Sequence, residues 1–312
     1  MKENAHFWGW ILLFVSFVWG IEFSLVHETL NSMGPNTFNT LRFAVAVLTL
    51  LAYFSYSGFQ FLHSLNVSVI HHGAILGLLL FTAFSTQTIG LQYTSASNAG
   101  FITGLNVVLV PVIAWAWLKE SQQWFVWLGV AMATTGTVLL TGGLNGISLG
   151  EVWVLVCAFM FAIHIVYTGV YVAEVDPLAL TQVQLITVML LSFIAALAFE
   201  TESLLGLPQV LIADATSNSG ALAWTAILVG GTLGTGLAFV AQTIGQQSLA
   251  AWRVALIFAT EPLFAAVGGF WLLGETLSLY AWIGAALIVG GMLVAELVEG
   301  RDTESDVSEG SH

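Results

Sequence analysis

Ten runs of mostly apolar residues divide the chain, at 7–26, 36–56, 72–92, 97–118, 124–140, 151–172, 178–199, 221–242, 253–273 and 281–297. Each is close to the roughly 20 residues that a helix needs to cross about 30 Å of hydrocarbon. Inside a bilayer every backbone N–H and C=O must be satisfied by the chain itself, and a helix does so within one segment. Turn residues separate the runs, among them Met33-Gly34-Pro35, Thr141-Gly142-Gly143-Leu144-Asn145-Gly146 and Val175-Asp176-Pro177. Charge is too scarce for a water-facing surface: 7% of the 312 residues are Asp, Glu, Lys or Arg, against about 25% in soluble domains. The predicted fold is an all-α membrane protein with ten transmembrane helices.

The charges that remain are informative. Five Lys+Arg against eighteen Asp+Glu exclude nucleic acid as a partner, because phosphates demand a basic surface. Cys157 is the single cysteine, which excludes a disulfide framework. Glu296, Glu299, Asp302, Glu304, Asp306 and Glu309 crowd the end of the chain, and 299–312 is expected to be a disordered acidic tail. The first run is too long for a signal-peptide core and lacks a small-residue cleavage site, so it counts as a mature helix. With the N-terminus inside, Lys2, Lys119, Arg253 and Arg301 fall on the inner side and Arg42 towards the outer one. Positive charge therefore predicts two cytoplasmic termini in a cell membrane (the inner membrane of a bacterium).

An internal repeat constrains the architecture further. Gln87–Gln92, QTIGLQ, returns as QTIGQQ at Gln242–Gln247, an offset of 155. The same offset superimposes Ala96 on Ala251, Leu118 on Leu273, Glu120 on Glu275, Trp127 on Trp282, Gly129 on Gly284 and Gly136 on Gly291. Upstream the offset is 142, with Pro35 over Pro177, Phe17 over Phe159 and Ile21 over Ile163. The chain thus divides into repeats at 1–146 and 147–298, each with five runs. An odd number of crossings sends the second copy in upside down. Inverted repeats are the framework of alternating-access transporters, whose substrate sites lie near the midplane between the copies.

Several of these residues carry a resemblance. Trp19-Gly20, Gly34-Pro35 followed by Leu41-Arg42-Phe43, Tyr93-Thr94-Ser95-Ala96-Ser97-Asn98-Ala99, Glu261-Pro262 and Leu273-Gly274-Glu275 with Gly284 resemble the EamA-like family of the drug/metabolite transporter superfamily. The likeness covers both halves. It implies a ten-helix carrier of small organic metabolites, an exporter of amino acids or related compounds. The first repeat departs from the pattern: Lys119 stands where the second has Gly274, Val107 where it has Pro262, and the first helix carries Glu22.

Ionisable groups inside a bilayer are costly and mark function by default. At ~1.5 Å per residue, Glu261 and its repeat mate Asn106 both fall near the midplane, where a substrate site is expected. Pro262 disturbs the helix beside Glu261. Glu22 and Arg42 share one depth near the outer face, which fits a structural ion pair, with Glu22 as a proton carrier the other reading. At the 142 offset Glu22 maps onto His164, which lies too much deeper for direct contact. Gln87 and Gln242 open the repeated motif and can bind a carboxylate or amine, or pair across helices. Trp19, Tyr167 and Trp252 are candidate cavity linings or interface anchors. Protons are a candidate coupling ion. No zinc, P-loop, dinucleotide or hydrolase motif occurs, so neither an enzyme nor a cofactor is expected. A passive channel is the rival reading, and a nucleotide-sugar carrier is disfavoured by the shortage of basic residues.

Overall fold

A computed structural model describes residues 2–56, 58, 61–141, 148–213, 218–273 and 278–309. The described chain is helical and holds no strand. Seven helical stretches are long and apolar enough to cross a membrane: Ala5–Thr29, Pro35–Tyr56, Val67–Leu91, Asn98–Leu118, Leu149–Tyr171, Pro177–Phe199 and Gly220–Gly245. Two shorter apolar ones, Trp124–Leu139 and Leu279–Ala295, accompany them.

In chain order the elements are α1 (Lys2–Thr29), α2 (Pro35–Tyr56), α3 (Phe61–Ser64), α4 (Val67–Leu91), α5 (Ala96–Thr103), α6 (Asn106–Leu118), α7 (Trp124–Thr141), α8 (Leu149–Tyr171) and α9 (Pro177–Phe199). After them come α10 (Thr201–Ala213), α11 (Asn218–Gly231), a π-helical turn (Thr232–Leu237), α12 (Ala238–Gly245), α13 (Ala251–Phe258), α14 (Glu261–Leu273) and α15 (Leu279–Glu309). Local signals set the ends. Asp176 caps α9 by accepting from the Ala179 N–H at 2.8 Å, with Pro177 preorganised at the first helical position. Ser148 and Glu151 form a capping box on α8.

Three expectations change. The run at 97–118 is two helices meeting at Gly104–Leu105, and the run at 253–273 is two meeting at Ala259–Thr260. These breaks stand 155 residues apart, at matched positions of the repeat. Pro262 lacks the N–H that would continue the helix through the second break. The run at 221–242 carries the π-helical turn, which holds Gly234 and Gly236 and follows Gly230-Gly231 at the end of α11. The segment expected as a disordered tail continues α15 as helix through Glu309. Extending a nucleated helix adds one hydrogen bond per ordered residue, and Glu and Arg are good helix formers. Gly274 and Glu275 of the second motif lie outside the described residues, as do 310–312.

Packing follows the small residues. Where α7 crosses α15, a Cβ on Gly129 would stand 2.9 Å from the Gly291 carbonyl oxygen, and one on Gly136 2.5 Å from that of Gly284. The partners are crossed: each glycine meets the repeat mate of the other, as a two-fold relation between antiparallel helices requires. A second matched contact joins Gly90 of α4 to Gly150 of α8, and their mates Gly245 and Trp8 meet in the same way.

One end of the bundle is tied by polar contacts. His27 donates to the Leu91 carbonyl at 3.1 Å. Glu151 accepts from Thr94 and Asn98. Glu200, at the end of α9, accepts from the backbone N–H groups of Asn36 and Thr37 at 2.9 and 2.8 Å and so caps α2. Towards the other end, Leu12, Val15, Val110, Ile113, Val254 and Ile257 pack into one apolar cluster.

Candidate functional site

Between the two broken helices lies a cavity of about 560 Å3 of empty space, open solvent included. The breaks supply one side of it. Asn106 opens α6 and Glu261 opens α14, with Thr103 and Phe258 one turn before them. α1 contributes Trp19, Glu22, Phe23 and Val26, whose i, i+3, i+4, i+7 spacing is a single helix face. α4 adds Phe84, Gln87 and Leu91. α8 adds Phe161 and Ile165, α2 adds Arg42 and α12 adds Gln242. Val26 and Leu91 stand near the ends of their helices, so the cavity reaches from mid-bundle towards the end tied by His27 and Glu200.

Five pairs of these residues are repeat mates: Trp19 with Phe161, Phe23 with Ile165, Gln87 with Gln242, Thr103 with Phe258, and Asn106 with Glu261. Both members of each pair line the cavity.

Its polar centre is an ion pair. Arg42 Nη2 lies 3.0 Å from both Glu22 carboxylate oxygens, and both side chains are buried. Arg42 Nε donates to Thr235 Oγ1 at 2.7 Å, and the guanidinium lies 4.9 Å from the Phe84 ring centroid. The π-helical turn shapes this pocket. Its Gly234 carbonyl accepts from Trp19 Nε1 at 2.6 Å, and a Cβ on Gly230 or Gly234 would collide with the Glu22 carboxylate. A buried ion pair needs such extra bonds, because pairing alone barely offsets its desolvation. Among the described residues, Arg42 Nη1 makes no hydrogen bond.

Glu261 is different. It is buried on the cavity, and its carboxylate has no hydrogen-bond partner among the described residues. Asn106 Oδ1 is likewise buried without a partner. Gln87 Nε2 reaches Thr103 Oγ1 at 3.4 Å, while Gln242 donates to Gln246, which donates to the Ile165 carbonyl at 2.7 Å. A guanidinium with one open nitrogen, a carboxylate without a hydrogen-bond donor and amides between aromatic rings together fit a small molecule bearing both charges.

The structure therefore brings Trp19, Glu22, Arg42, Gln87, Asn106, Gln242 and Glu261 to one cavity. Three expected residues stand apart. His164 is fully buried against Gln184, at 2.9 Å, with its ring edge-on to Phe239. Tyr167 packs on Tyr171 with ring centroids 5.6 Å apart. Trp252 packs on Phe125. The reading of the sequence passed over Thr235, Gln184 and the rings Phe84, Phe161 and Phe258. The repeat held a signal for Gln184, which lies 142 residues after Arg42. The glycine cluster at 230–236 held one for the π turn that presents Thr235.

The profile of the EamA-like transporter family matches the chain twice, over residues 6–142 and 148–296. The chain belongs to the EamA-like transporter family. An uncharacterized transporter of Archaeoglobus fulgidus is 29% identical over 92% of this chain and 84% of its own. The chloroplastic WAT1-related protein At3g02690 of Arabidopsis thaliana is 28% identical over 94% of this chain and 70% of its own. An uncharacterized transporter of Bacillus subtilis, YyaM, is 24% identical over 91% of this chain and 92% of its own. A solved crystal structure shares the fold, with a TM-score of 0.72 at 22% identity over 93% of this chain and 96% of that one. As an EamA-like protein the chain is a multi-pass membrane transporter for small molecules.

Proposed function

We propose that this EamA-like protein is an alternating-access secondary transporter, an exporter of amino acids or related compounds. Its ten spans form two inverted repeats, 1–146 and 147–298, with both termini cytoplasmic. The observation that carries the substrate class is the presence, in one cavity, of a Glu261 carboxylate that accepts no hydrogen bond among the described residues and of the open Nη1 of Arg42. The substrate's ammonium group bonds Glu261 and its carboxylate bonds Arg42. Its side chain lies among Trp19, Phe84, Phe161 and Phe258. The matched helix breaks, the crossed glycine contacts of α7 and α15, and the double family match support the inverted architecture. Discontinuous helices at corresponding positions of two repeats are where such carriers place their sites.

Proton coupling belongs to the same proposal. A single carboxylate that bonds an ammonium group in one state and a proton in the other exchanges one for the other across the cycle. Counterflow in proteoliposomes against a panel of amino acids and their decarboxylated amines tests the reading. Saturable, trans-accelerated uptake is expected. A charge-assisted hydrogen bond contributes about 1.5–3 kcal/mol, so Glu261→Gln should weaken half-saturation ~10- to 100-fold and abolish the response to a pH gradient. Flux that rises linearly with concentration and shows no counterflow would assign a channel.

A further inference from the structure

Five cavity residues, Glu22, Val26, Arg42, Phe84 and Leu91, have repeat mates that do not line the cavity. Those mates are His164, Thr168, Gln184, Phe239 and Gln246, and all are buried. They form a packed group of their own. His164 Nε2 bonds Gln184 Oε1 at 2.9 Å, as Glu22 bonds Arg42 in the other repeat. Phe239 stands edge-on to the His164 ring at 5.7 Å, and Thr168 Oγ1 donates to the His164 carbonyl at 2.7 Å. Gln246 closes the group by donating to the Ile165 carbonyl.

This group is too polar for a permanently dry core. His164 Nδ1 is buried without a partner. Buried polar atoms in native proteins are nearly always satisfied. This open nitrogen lies late in α8, away from the tied end where Glu151 begins the helix.

We propose that His164, Thr168, Gln184, Phe239 and Gln246 line a second vestibule, which opens on the opposite membrane face when the first closes. The ten residues that pair as mates form the site common to both states. The two vestibules differ in chemistry: an imidazole–amide pair stands in one where a carboxylate–guanidinium pair stands in the other. A substrate carboxylate held by Arg42 on one side meets only the Gln184 amide on the other. The inference rests on the alternating-access reading and adds the residues that form its closed side.

Thiol labelling separates the two claims. In a Cys157→Ala background, Thr168→Cys is exposed to a membrane-impermeant methanethiosulfonate reagent from the face of the 119–123 turn. A bulky wedge, Val26→Trp, keeps the first vestibule from closing, with Leu91→Trp as the second wedge should the first fail to insert. The expected result is labelling of Thr168→Cys from that face, slowed by about tenfold or more with the wedge. The surface control Ser121→Cys keeps its rate. A Thr168→Cys protein that carries out counterflow yet never labels, or labels equally fast with the wedge, overturns the second vestibule. Wedge-sensitive labelling without any counterflow leaves the vestibule standing and removes the transport reading.

Discussion

Arg42 shows how much of this protein depends on single side chains. Its guanidinium is held by Glu22, by Thr235 and by the Phe84 ring, and none of these partners is near it in sequence. Equal depth of Glu22 and Arg42 was legible from residue counting, and the ion pair follows from it. Thr235 was not, because its position depends on the π-helical turn. Removing one partner of a buried pair strands the other charge and costs about 3–5 kcal/mol, whereas replacing both with apolar residues is often nearly neutral. Arg42→Met alone should therefore lower thermal stability in detergent strongly. The double variant Glu22→Met/Arg42→Met should recover most of it. Transport of a zwitterion should stay lost in both, since Nη1 is gone. A double variant as unstable as the single would place the stabilising role on the Thr235 and Phe84 contacts instead.

At the scale of elements, apolar runs and turn residues located the helices, but not the points where they bend. The breaks after Thr103 and after Phe258 leave no gap in hydropathy, since Gly104-Leu105 and Ala259-Thr260 read as helix interior. Pro262 was the visible mark of one break, and its mate Val107 gave none for the other. The α7–α15 crossing was half legible: the repeat paired Gly129 with Gly284 and Gly136 with Gly291, while structure pairs them crosswise. Membrane helices gain little from hydrophobicity against one another and depend on close packing at small residues. Gly136→Ala would push a methyl group against the Gly284 backbone, which has no side chain to yield. A loss of about 1–3 kcal/mol is expected, read as a lower melting temperature and monomer yield. Gly100→Ala meets nothing within 4 Å and serves as the control. Equal stability in the two variants would mean that α7 and α15 are free to separate.

The whole molecule combines a repeated frame with an asymmetric load of charge. The mates of Glu22, Arg42 and Glu261 are His164, Gln184 and Asn106, so none of the cavity's three ionisable groups has a carboxylate or guanidinium as its mate. The frame was legible because a repeat leaves its mark in sequence wherever helices touch. Which side of the frame holds the cavity was not, since the repeat marks both halves alike. Orientation decides which compartment the cavity meets. Under the charge rule the end tied by His27 and Glu200 faces outward, and the 119–123 turn, with Lys119 on the last carbonyls of α6, faces the cytoplasm. Ser32 and Ser121 are exposed in turns at the two ends. The sole native cysteine, Cys157, is fully buried and leaves a clean background. In intact cells an impermeant maleimide should modify Ser32→Cys and spare Ser121→Cys until the membrane is permeabilised. The reverse pattern would turn the molecule over, make the cavity face the cytoplasm, and recast Arg42 as the residue that first meets a cytoplasmic substrate rather than the last to release it.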